Sequence, residues 1–268
     1  MSHYPAAGTW TSCPACGRHV HQSQWGHWQQ CPYCHYWQRL TATDRVAQLV
    51  DSGTFMPLKT TAKSHNQLNF PNYDEKLEQA ERKTGEAEAV TTGWATIGSW
   101  PVMLMVMDSH FMMGTLNTSV TRRMIKAMQA ARQRAVPVVI VTASGGARMQ
   151  EGLYALVGMN LILAEVARLA AAKLPLITVL TDPTMGGVSA SFAFKGDVIV
   201  AEAGATIGFA GARVIQQTMP TTLPVAFQSA ERLLEHGQLD AVVVRPELRS
   251  YLINVLASYQ QLGRPDHG

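Results

Sequence analysis

The run Val136–Thr142, short, apolar and β-branched, leads directly into Ser144-Gly145-Gly146-Ala147. A second apolar run, Leu176–Thr181, leads into Asp182-Pro183-Thr184-Met185-Gly186-Gly187. A helical pattern follows the glycines in both cases, and after the first pair it extends from about Arg148 to Ala172. The same unit of strand, glycine pair and helix therefore occurs twice, and it predicts two neighbouring strands that end in tight turns.

Paired glycines at strand ends are a typical place for backbone amides to bind a ligand. Glycine tolerates backbone conformations that other residues avoid, and it lets a ligand approach the main chain closely. Two amides aimed at one oxygen, one from the pair Gly145-Gly146 and one from the pair Gly186-Gly187, would form an oxyanion hole for an enolate or tetrahedral oxygen. Alternatively, the glycines only close tight turns, and the residues alone leave both readings open.

Other catalytic motifs are missing from the sequence. It contains no G-x-G-x-x-G, no P-loop and no G-x-S-x-G. Three serines near the glycine pairs lack evident His and Asp partners: Ser144, Ser189 and Ser191. His110 stands alone and is interpreted as structural. Three charged residues near the turns are interpreted as helix-end charges: Arg148, Glu151 and Lys195.

Strands and helices alternate on both sides of the glycine segments. Val90–Ile97 and Pro101–Met107 read as a hairpin, and Asn117 to Ala135 reads as a helix. Further elements are predicted downstream: strands Asp197–Ala201 and Thr206–Phe209, and helices near Arg213–Thr218, Ala226–Glu235 and Pro246–Gln260. This alternation predicts an α/β domain with mostly parallel pairing. In the helix after the first glycine pair, four apolar residues at helical spacing are assigned to the core: Leu156, Met159, Leu163 and Val166.

All four cysteines lie near the N-terminus, as Cys13-Pro-Ala-Cys16 and Cys31-Pro-Tyr-Cys34. Two C-x2-C turns supply four thiolates, which suits a tetrahedral Zn²⁺ site better than disulfides or free thiols. Gly17 follows the first pair, where a left-handed residue lets backbone amides face the sulfurs. Because four sulfur ligands leave no position for a catalytic water, the zinc is predicted to be structural. His35, next to Cys34, is the histidine nearest to the ligands.

Composition limits the class of protein. The chain has 268 residues, of which 47% are apolar and 15% charged, so it can build a core. The net charge is only +3, and the ribbon at 1–40 contains only Arg18 and Arg39 as fixed positive charges, so nucleic-acid binding is not favoured. The first 30 residues lack an apolar signal region, which indicates a cytoplasmic chain. No membrane span is expected, because the most apolar helix is interrupted by polar and charged residues: Asn160, Glu165 and Arg168.

Three long segments resemble a known family: Thr142–Glu151 (TASGGARMQE), Leu180–Phe192 (LTDPTMGGVSASF) and Ile207–Thr218 (IGFAGARVIQQT). Together with the four-cysteine ribbon, they resemble the carboxyltransferase beta subunit of bacterial acetyl-CoA carboxylase. The resemblance extends from about residue 9 to about residue 258.

The resemblance implies a crotonase-like spiral of ββα units. It divides the chain into a zinc ribbon at 1–40, connecting helices and a linker at 41–86, and a carboxyltransferase domain at 87–268. It also implies transfer of a carboxyl group from carboxybiotin to acetyl-CoA, which forms malonyl-CoA in the first committed step of fatty acid synthesis. By this resemblance the two glycine pairs supply the oxyanion-hole amides on the acyl-CoA side, near Gly114.

Partners are implied as well: a carboxyltransferase alpha subunit in an α2β2 assembly, a biotin carboxyl carrier protein and a biotin carboxylase. The reaction involves two oxygens that become negative, one on acetyl-CoA and one on biotin. Two glycine turns provide material for only one oxyanion hole, so we expect the second hole to come from the alpha subunit.

The chain departs from the family in the segment Phe111–Asn117. The family reads close to F-M-G-G-S-M-G there, whereas Met113 and Asn117 replace two of its glycines. If this loop approaches CoA, the bulk of Met113 is expected to weaken binding or alter acyl choice. Ala212 also stands where proline is usual, and Met185 where threonine is common. The alternatives are another crotonase-fold acyl-CoA enzyme subunit, such as a decarboxylase, and a regulatory paralogue whose ribbon binds nucleic acid.

Overall fold

The computed structural model describes residues 9–219, 222–224 and 226–262, so residues 1–8 and 263–268 of the predicted domains lie outside the described part. The chain divides into two compact units, Met1–Leu40 and Thr41–Gly268. In the smaller unit, β1 (Trp10–Ser12) pairs antiparallel with β2 (His19–His21). Its small apolar core is formed by four residues: Cys13, Val20, Trp25 and Cys31.

The larger unit is built on a seven-stranded sheet with the order β3-β4-β5-β6-β7-β8-β9. Its strands are β3 (Met56–Pro57), β4 (Val90–Ile97), β5 (Trp100–Met107), β6 (Val138–Ser144), β7 (Leu176–Thr184), β8 (Val198–Glu202) and β9 (Ala241–Val243). The first three strands pair antiparallel, and every pairing from β5 to β9 is parallel. The predicted hairpin and the mostly parallel α/β sheet are confirmed.

Helices cover both faces of this sheet. They are α1 (Ala42–Leu49), α2 (Tyr73–Thr84), α3 (Thr118–Arg134), α4 (Leu153–Ala171), α5 (Gly186–Ser189), α6 (Ala212–Thr218), α7 (Ala230–Glu235) and α8 (Leu248–Leu262). Met103, Met105 and Met107 of β5 belong to the core with α2, α3 and α4. The alternating residues Val102, Leu104 and Val106 belong to the core with α1 and α8. The segment 41–86, with α1, β3 and α2, is thus part of the larger unit.

Two predicted elements near the C-terminal half differ from the structure. Residues 206–209 form single bridges, Thr184 with Ile207 and Thr206 with Ser229, in place of a strand. Helix α7 begins only at Ala230, because Gln228 has a left-handed φ of 61° and the Ser229 hydroxyl caps the helix by accepting from the Arg232 amide. The sequence patterns did not predict β9.

Helix α4 begins later than predicted and buries a different face. Gly152, with a φ of 51°, separates it from a short 3-10 turn at Met149–Glu151. Five residues form its buried stripe: Ala155, Gly158, Ile162, Glu165 and Leu169. The core assignment of Leu156 is wrong, since that side chain is 46% exposed, whereas the other three assigned residues are half-buried against the core.

The other face of α4 is apolar and exposed. Five large side chains lie on it: Leu153, Tyr154, Leu156, Val157 and Leu161. By length and composition alone this helix could cross a membrane, although Asn160 and two charged residues interrupt it. In the structure the buried Glu165 pairs with Arg132 of α3 and with Arg168, so α4 is packed as an element of the larger unit.

Candidate active site and metal centre

The two glycine turns meet at the carboxyl edge of the sheet. Strands β6 and β7 are neighbours, and Ser144 and Thr184 at their ends are paired. The Met185 amide donates to the Ser144 carbonyl at 2.9 Å. A Cβ on Gly146 would lie only 3.3 Å from Gly186 Cα, so the turns touch through their backbones. The fold therefore brings together the two segments that the sequence singled out.

Left-handed backbone explains why glycine is needed at two of these positions. Gly146 has a φ of 115° and Gly186 a φ of 59°. A side chain at either position would be strained, and it would also contact the opposite turn.

Three of the four predicted amides already donate within the chain. Gly145 donates to the Met113 carbonyl at 2.8 Å and Gly186 to the Phe209 carbonyl at 3.0 Å. Gly146 donates to the Ser144 hydroxyl at 3.1 Å. Among the described residues, the amides of Gly187 and Ala147 have no acceptor. These two residues are close neighbours, because a Cβ on Gly187 would lie 3.9 Å from the Ala147 Cβ.

The serines near the glycines hold the turns in place. Besides the bond from Gly146 to Ser144, the Ser189 hydroxyl donates to the carbonyls of Gly186 at 2.9 Å and Gly208 at 2.6 Å. The Ser191 hydroxyl donates to the Gly187 carbonyl at 2.5 Å. Sequence reasoning considered these serines only as nucleophiles and did not predict this supporting role.

The loop before α3 lies against the first glycine turn. Gly114 has a φ of 66°, and a Cβ there would lie 1.9 Å from the Ala143 carbonyl oxygen, so only glycine fits. Met113 also has a left-handed φ of 58°, and its side chain is 48% exposed. A Cβ on Gly145 would lie 3.5 Å from the Met113 Cβ. The Met113 side chain, which replaces a glycine of the family pattern, therefore lies beside the first glycine turn of the predicted site.

Asn117, the second departure from the family pattern, has a clear structural role. Its side-chain oxygen accepts from the Val120 amide at 2.8 Å and caps α3. Its side-chain nitrogen donates to Glu151 at 2.8 Å and to Glu88 at 3.1 Å. A glycine at this position could make none of these contacts.

A buried polar cluster lies directly behind the first glycine turn. The side chains of Arg148 and Glu88 are both fully buried and form an ion pair at 2.6 Å. Burial alone would raise the pKa of Glu88, but the Arg148 guanidinium outweighs it and holds that pKa below its usual range. Glu151 is buried as well and accepts from the Tyr73 hydroxyl at 2.8 Å. The interpretation of Arg148 and Glu151 as helix-end charges is wrong, whereas Lys195 is exposed.

His110 does not stand alone, because it is paired with Asp108, but its contact is structural, as interpreted from the sequence. Its Nδ1 lies 2.8 Å from the buried Asp108 carboxylate, which also accepts from the Ala42 amide. Burial raises the pKa of Asp108, but the hydrogen bonds from His110 and Ala42 bring it below its usual range. The pair anchors the start of α1 to the end of β5.

Two cavities adjoin these elements. One of about 340 Å³ lies beside the second glycine turn, with Ser189, Gly208 and Phe209 in its wall. The other, of about 560 Å³, is mostly apolar and lies between α3 and α4. Its wall includes Leu153, Val157 and Leu161 of the exposed α4 face.

The four cysteines converge in the smaller unit. All four Sγ atoms lie within 4.8 Å of one another, with Cys13 and Cys34 at 3.7 Å and Cys16 and Cys31 at 3.9 Å. A tetrahedral site with Zn–S bonds of 2.3 Å requires sulfurs about 3.8 Å apart, so the arrangement fits a metal ion.

Two similar turns present these sulfurs. Gly17 and His35 each follow the second cysteine of a pair, and both are left-handed, with φ of 71° and 62°. His35 therefore takes the backbone position of Gly17 in the second turn and is not in the ligand group. Burial raises the pKa of the Cys31 thiol, but hydrogen bonds from the Tyr33 and Cys34 backbone offset it and lower the pKa to about 7. In the same cluster, the Tyr36 backbone lowers the pKa of the Cys34 thiol, but burial and the hydrogen bonds from the other cysteines outweigh it and raise that pKa to about 12. A metal ion would bind all four sulfurs as thiolates.

Known proteins resemble the chain over its whole length. A family described as carboxyl transferase domain matches residues 35–239. The acetyl-coenzyme A carboxylase carboxyl transferase subunit beta 1 of Lactiplantibacillus plantarum (strain JDM1) is 68% identical over 268 residues, 100% of each chain. The subunit beta of Carboxydothermus hydrogenoformans is 44% identical over 255 residues, which are 95% of this chain and 91% of the relative.

Solved structures share the fold. Transcarboxylase 12S matches with a TM-score of 0.70 at 24% identity, over 82% of this chain and 41% of that chain. The Pseudomonas malonate decarboxylase hetero-dimer matches with a TM-score of 0.63 at 20% identity, over 85% and 90% of the two chains. At these identities the likeness concerns the fold, and the predicted crotonase-like class is confirmed. The family match and the two full-length relatives show that the chain belongs to the family of acetyl-CoA carboxylase carboxyltransferase beta subunits.

Proposed function

We propose that this chain forms the acyl-CoA half of a carboxyltransferase site, in which a carboxyl group passes from carboxybiotin to acetyl-CoA to form malonyl-CoA. The observation that carries the proposal is the pair of free amides, Ala147 and Gly187, at the contact of the two glycine turns. Of the four glycines predicted to supply oxyanion-hole amides, only Gly187 keeps that role in this proposal. Gly187 donates directly with Ala147, while Gly145, Gly146 and Gly186 shape the turns.

The amides act on the thioester oxygen of acetyl-CoA. When the acetyl methyl group loses a proton, negative charge develops on that oxygen, and two fixed N–H donors stabilise it without reorganising. Carboxybiotin would supply the carboxyl group that the acetyl carbon accepts, and the biotin that has given up this group would supply the base for the methyl proton. The serine hydroxyls around the turns donate to backbone carbonyls, so the chain contributes positioning and oxyanion stabilisation.

A Gly187→Val variant tests this role. A Cβ at this position would lie 2.4 Å from the Sδ of the flexible Met159 side chain and 3.9 Å from the Ala147 Cβ, so the variant is expected to fold once Met159 shifts. Displacing one oxyanion-hole amide costs about 3–4 kcal/mol of transition-state stabilisation, roughly 10²- to 10³-fold in kcat. The assay is carboxyl transfer with the other subunits added, and circular dichroism checks folding.

Gly85→Asn is the control for this assay, because Gly85 ends α2 in a left-handed conformation with open space around it. It should keep wild-type kcat. Turnover close to wild type in folded Gly187→Val would exclude the amide from the site.

We infer that the exposed apolar face of α4 binds the carboxyltransferase alpha subunit in an α2β2 assembly. Its five large side chains and the adjoining cavity of about 560 Å³ form one apolar surface. Apolar patches of this kind mark protein interfaces, and a stable one buries about 1,600 Å² in total. A biotin carboxyl carrier protein and a biotin carboxylase complete the proposed enzyme.

We also propose that the metal at Cys13, Cys16, Cys31 and Cys34 is a structural Zn²⁺. Four thiolates at tetrahedral spacing favour zinc and leave no position for a catalytic water. Thiolate ligands persist in a reducing compartment, which supports a cytoplasmic location.

A further inference from the structure

We propose that Arg148 and Glu88 are positioning residues that fix the Ala147 amide for catalysis. The proposal rests on the proposed function, since it concerns the orientation of one oxyanion-hole donor. Neither side chain reaches the surface, and neither is one of the donors themselves.

The guanidinium of Arg148 is satisfied on every side. Nη2 donates to Glu88 at 2.6 Å and to the Thr115 carbonyl at 3.1 Å. Nε donates to the Thr115 hydroxyl at 3.0 Å. Nη1 donates to Glu88 at 3.2 Å and to the hydroxyls of Ser64 and Tyr73 at 3.3 Å each. One side chain therefore joins the connecting segment, α2 and the loop before α3.

These contacts reach the Ala147 amide through the main chain. Leu116, which follows Thr115, donates its amide to the Gly146 carbonyl at 2.8 Å and accepts from the Arg148 amide at 2.8 Å. Ala147 lies between these two bonds. Because Arg148 holds Thr115 by both its hydroxyl and its carbonyl, the side chain fixes the loop segment Thr115–Leu116, to which the Gly146–Ala147 peptide is hydrogen-bonded.

Glu88 keeps the guanidinium in that orientation. Its carboxylate binds two nitrogens of Arg148, and it also accepts from Asn117 at 3.1 Å and from the Ser64 hydroxyl. A lysine in place of Arg148 could pair with Glu88 as a point charge, but it could not bind Glu88 and both Thr115 oxygens together. The planar fork, more than the charge, is what this position requires.

The experiment compares Arg148→Lys with wild type in the complete carboxyltransferase. We expect kcat to fall about 10- to 100-fold while KM for acetyl-CoA changes less than about threefold, because a misplaced donor weakens transition-state stabilisation. Hydrogen exchange of the chain alone should be faster in the segment 142–149 than in wild type. If wild type itself fails to transfer carboxyl groups, the proposed function fails, whatever the variants do.

Two further variants complete the test. Thr115→Val removes the hydroxyl that accepts from Arg148 and donates to the Met112 carbonyl at 2.8 Å, and it keeps the carbonyl contact to Arg148. This variant tests the positioning role if Arg148→Lys does not fold, and its kcat is expected to fall about threefold to tenfold. Glu165→Gln is the matched control, since it disrupts another buried carboxylate with two arginine partners, and it should lower stability but not kcat. If kcat per folded molecule stays within twofold of wild type in every folded variant at positions 148 and 115, the positioning role is excluded.

Discussion

Asp51 is a single side chain that joins the β4–β5 hairpin to α8. Its carboxylate accepts from the Thr96 hydroxyl at 2.6 Å and from the amides of Gly98 and Ser99 at 2.9 and 2.7 Å. Arg249 of α8 donates to it at 2.5 Å. Burial raises the pKa of Asp51, but these hydrogen bonds together hold that pKa well below its usual range.

Asp51→Asn should lower the free energy of unfolding by about 2 kcal/mol at neutral pH, because the hydrogen bonds to an ionised carboxylate are lost. The pKa is lower in the folded than in the unfolded state, so the stabilisation is complete above about pH 4 and is lost as pH falls toward the folded pKa. Urea unfolding of both proteins at several pH values measures this. A difference that grows below pH 4 would contradict the assignment.

At the residue scale, the sequence indicated which glycines shape the site, but it did not indicate which charged side chains are buried or what they contact. The glycine pairs were predictable, because few other residues permit the turns and their spacing repeats after two strands. The buried state of Arg148 was not predictable, since its partners Glu88 and Thr115 are distant in sequence and meet it only in the folded chain. The same holds for His110, whose nearby Asp108 was visible in the sequence but whose contact was not.

At the scale of elements, α4 shows how a correct period can still give the wrong face. Small residues let α4 approach α3 closely, as a Cβ on Gly158 would lie 2.3 Å from the Thr121 hydroxyl. The buried stripe therefore contains Ala155 and Gly158, and Leu156 is left exposed. A hydrophobic pattern alone does not distinguish a helix face that is buried in the core from an exposed apolar face that could bind another protein.

The four-cysteine cluster of the smaller unit was easier to predict than α4, because the cysteines of each pair are close in sequence and their spacing sets the geometry of the site. We expect one zinc ion per chain by elemental analysis, and loss of the metal in Cys16→Ala. His35→Asn should keep its zinc, since His35 supplies backbone geometry and asparagine tolerates the left-handed conformation. Absence of metal from the wild-type chain, or full zinc in Cys16→Ala, would contradict the site.

At the scale of the whole molecule, the single proposed oxyanion hole and the exposed apolar face of α4 both indicate that a second subunit completes the site. The amides of Ala147 and Gly187, which have no acceptor among the described residues, are proposed to stabilise one of the two oxygens that become negative during carboxyl transfer. The α4 face, with Val157 and Leu161 exposed, begins just beyond the first glycine turn. We propose that the partner subunit binds this face and supplies the second hole. This chain is therefore expected to be catalytically incomplete without its partner.

Malonyl-CoA-dependent carboxylation of free biotin tests this claim most directly. The chain, purified to homogeneity, is assayed alone and with the carboxyltransferase alpha subunit, beside Val157→Asp on the α4 face and Leu234→Asp on the exposed side of α7 as control. We predict no transfer by the chain alone, full transfer when the alpha subunit is added to wild type or Leu234→Asp, and little transfer with Val157→Asp. Full activity of this chain without any second subunit would contradict the account.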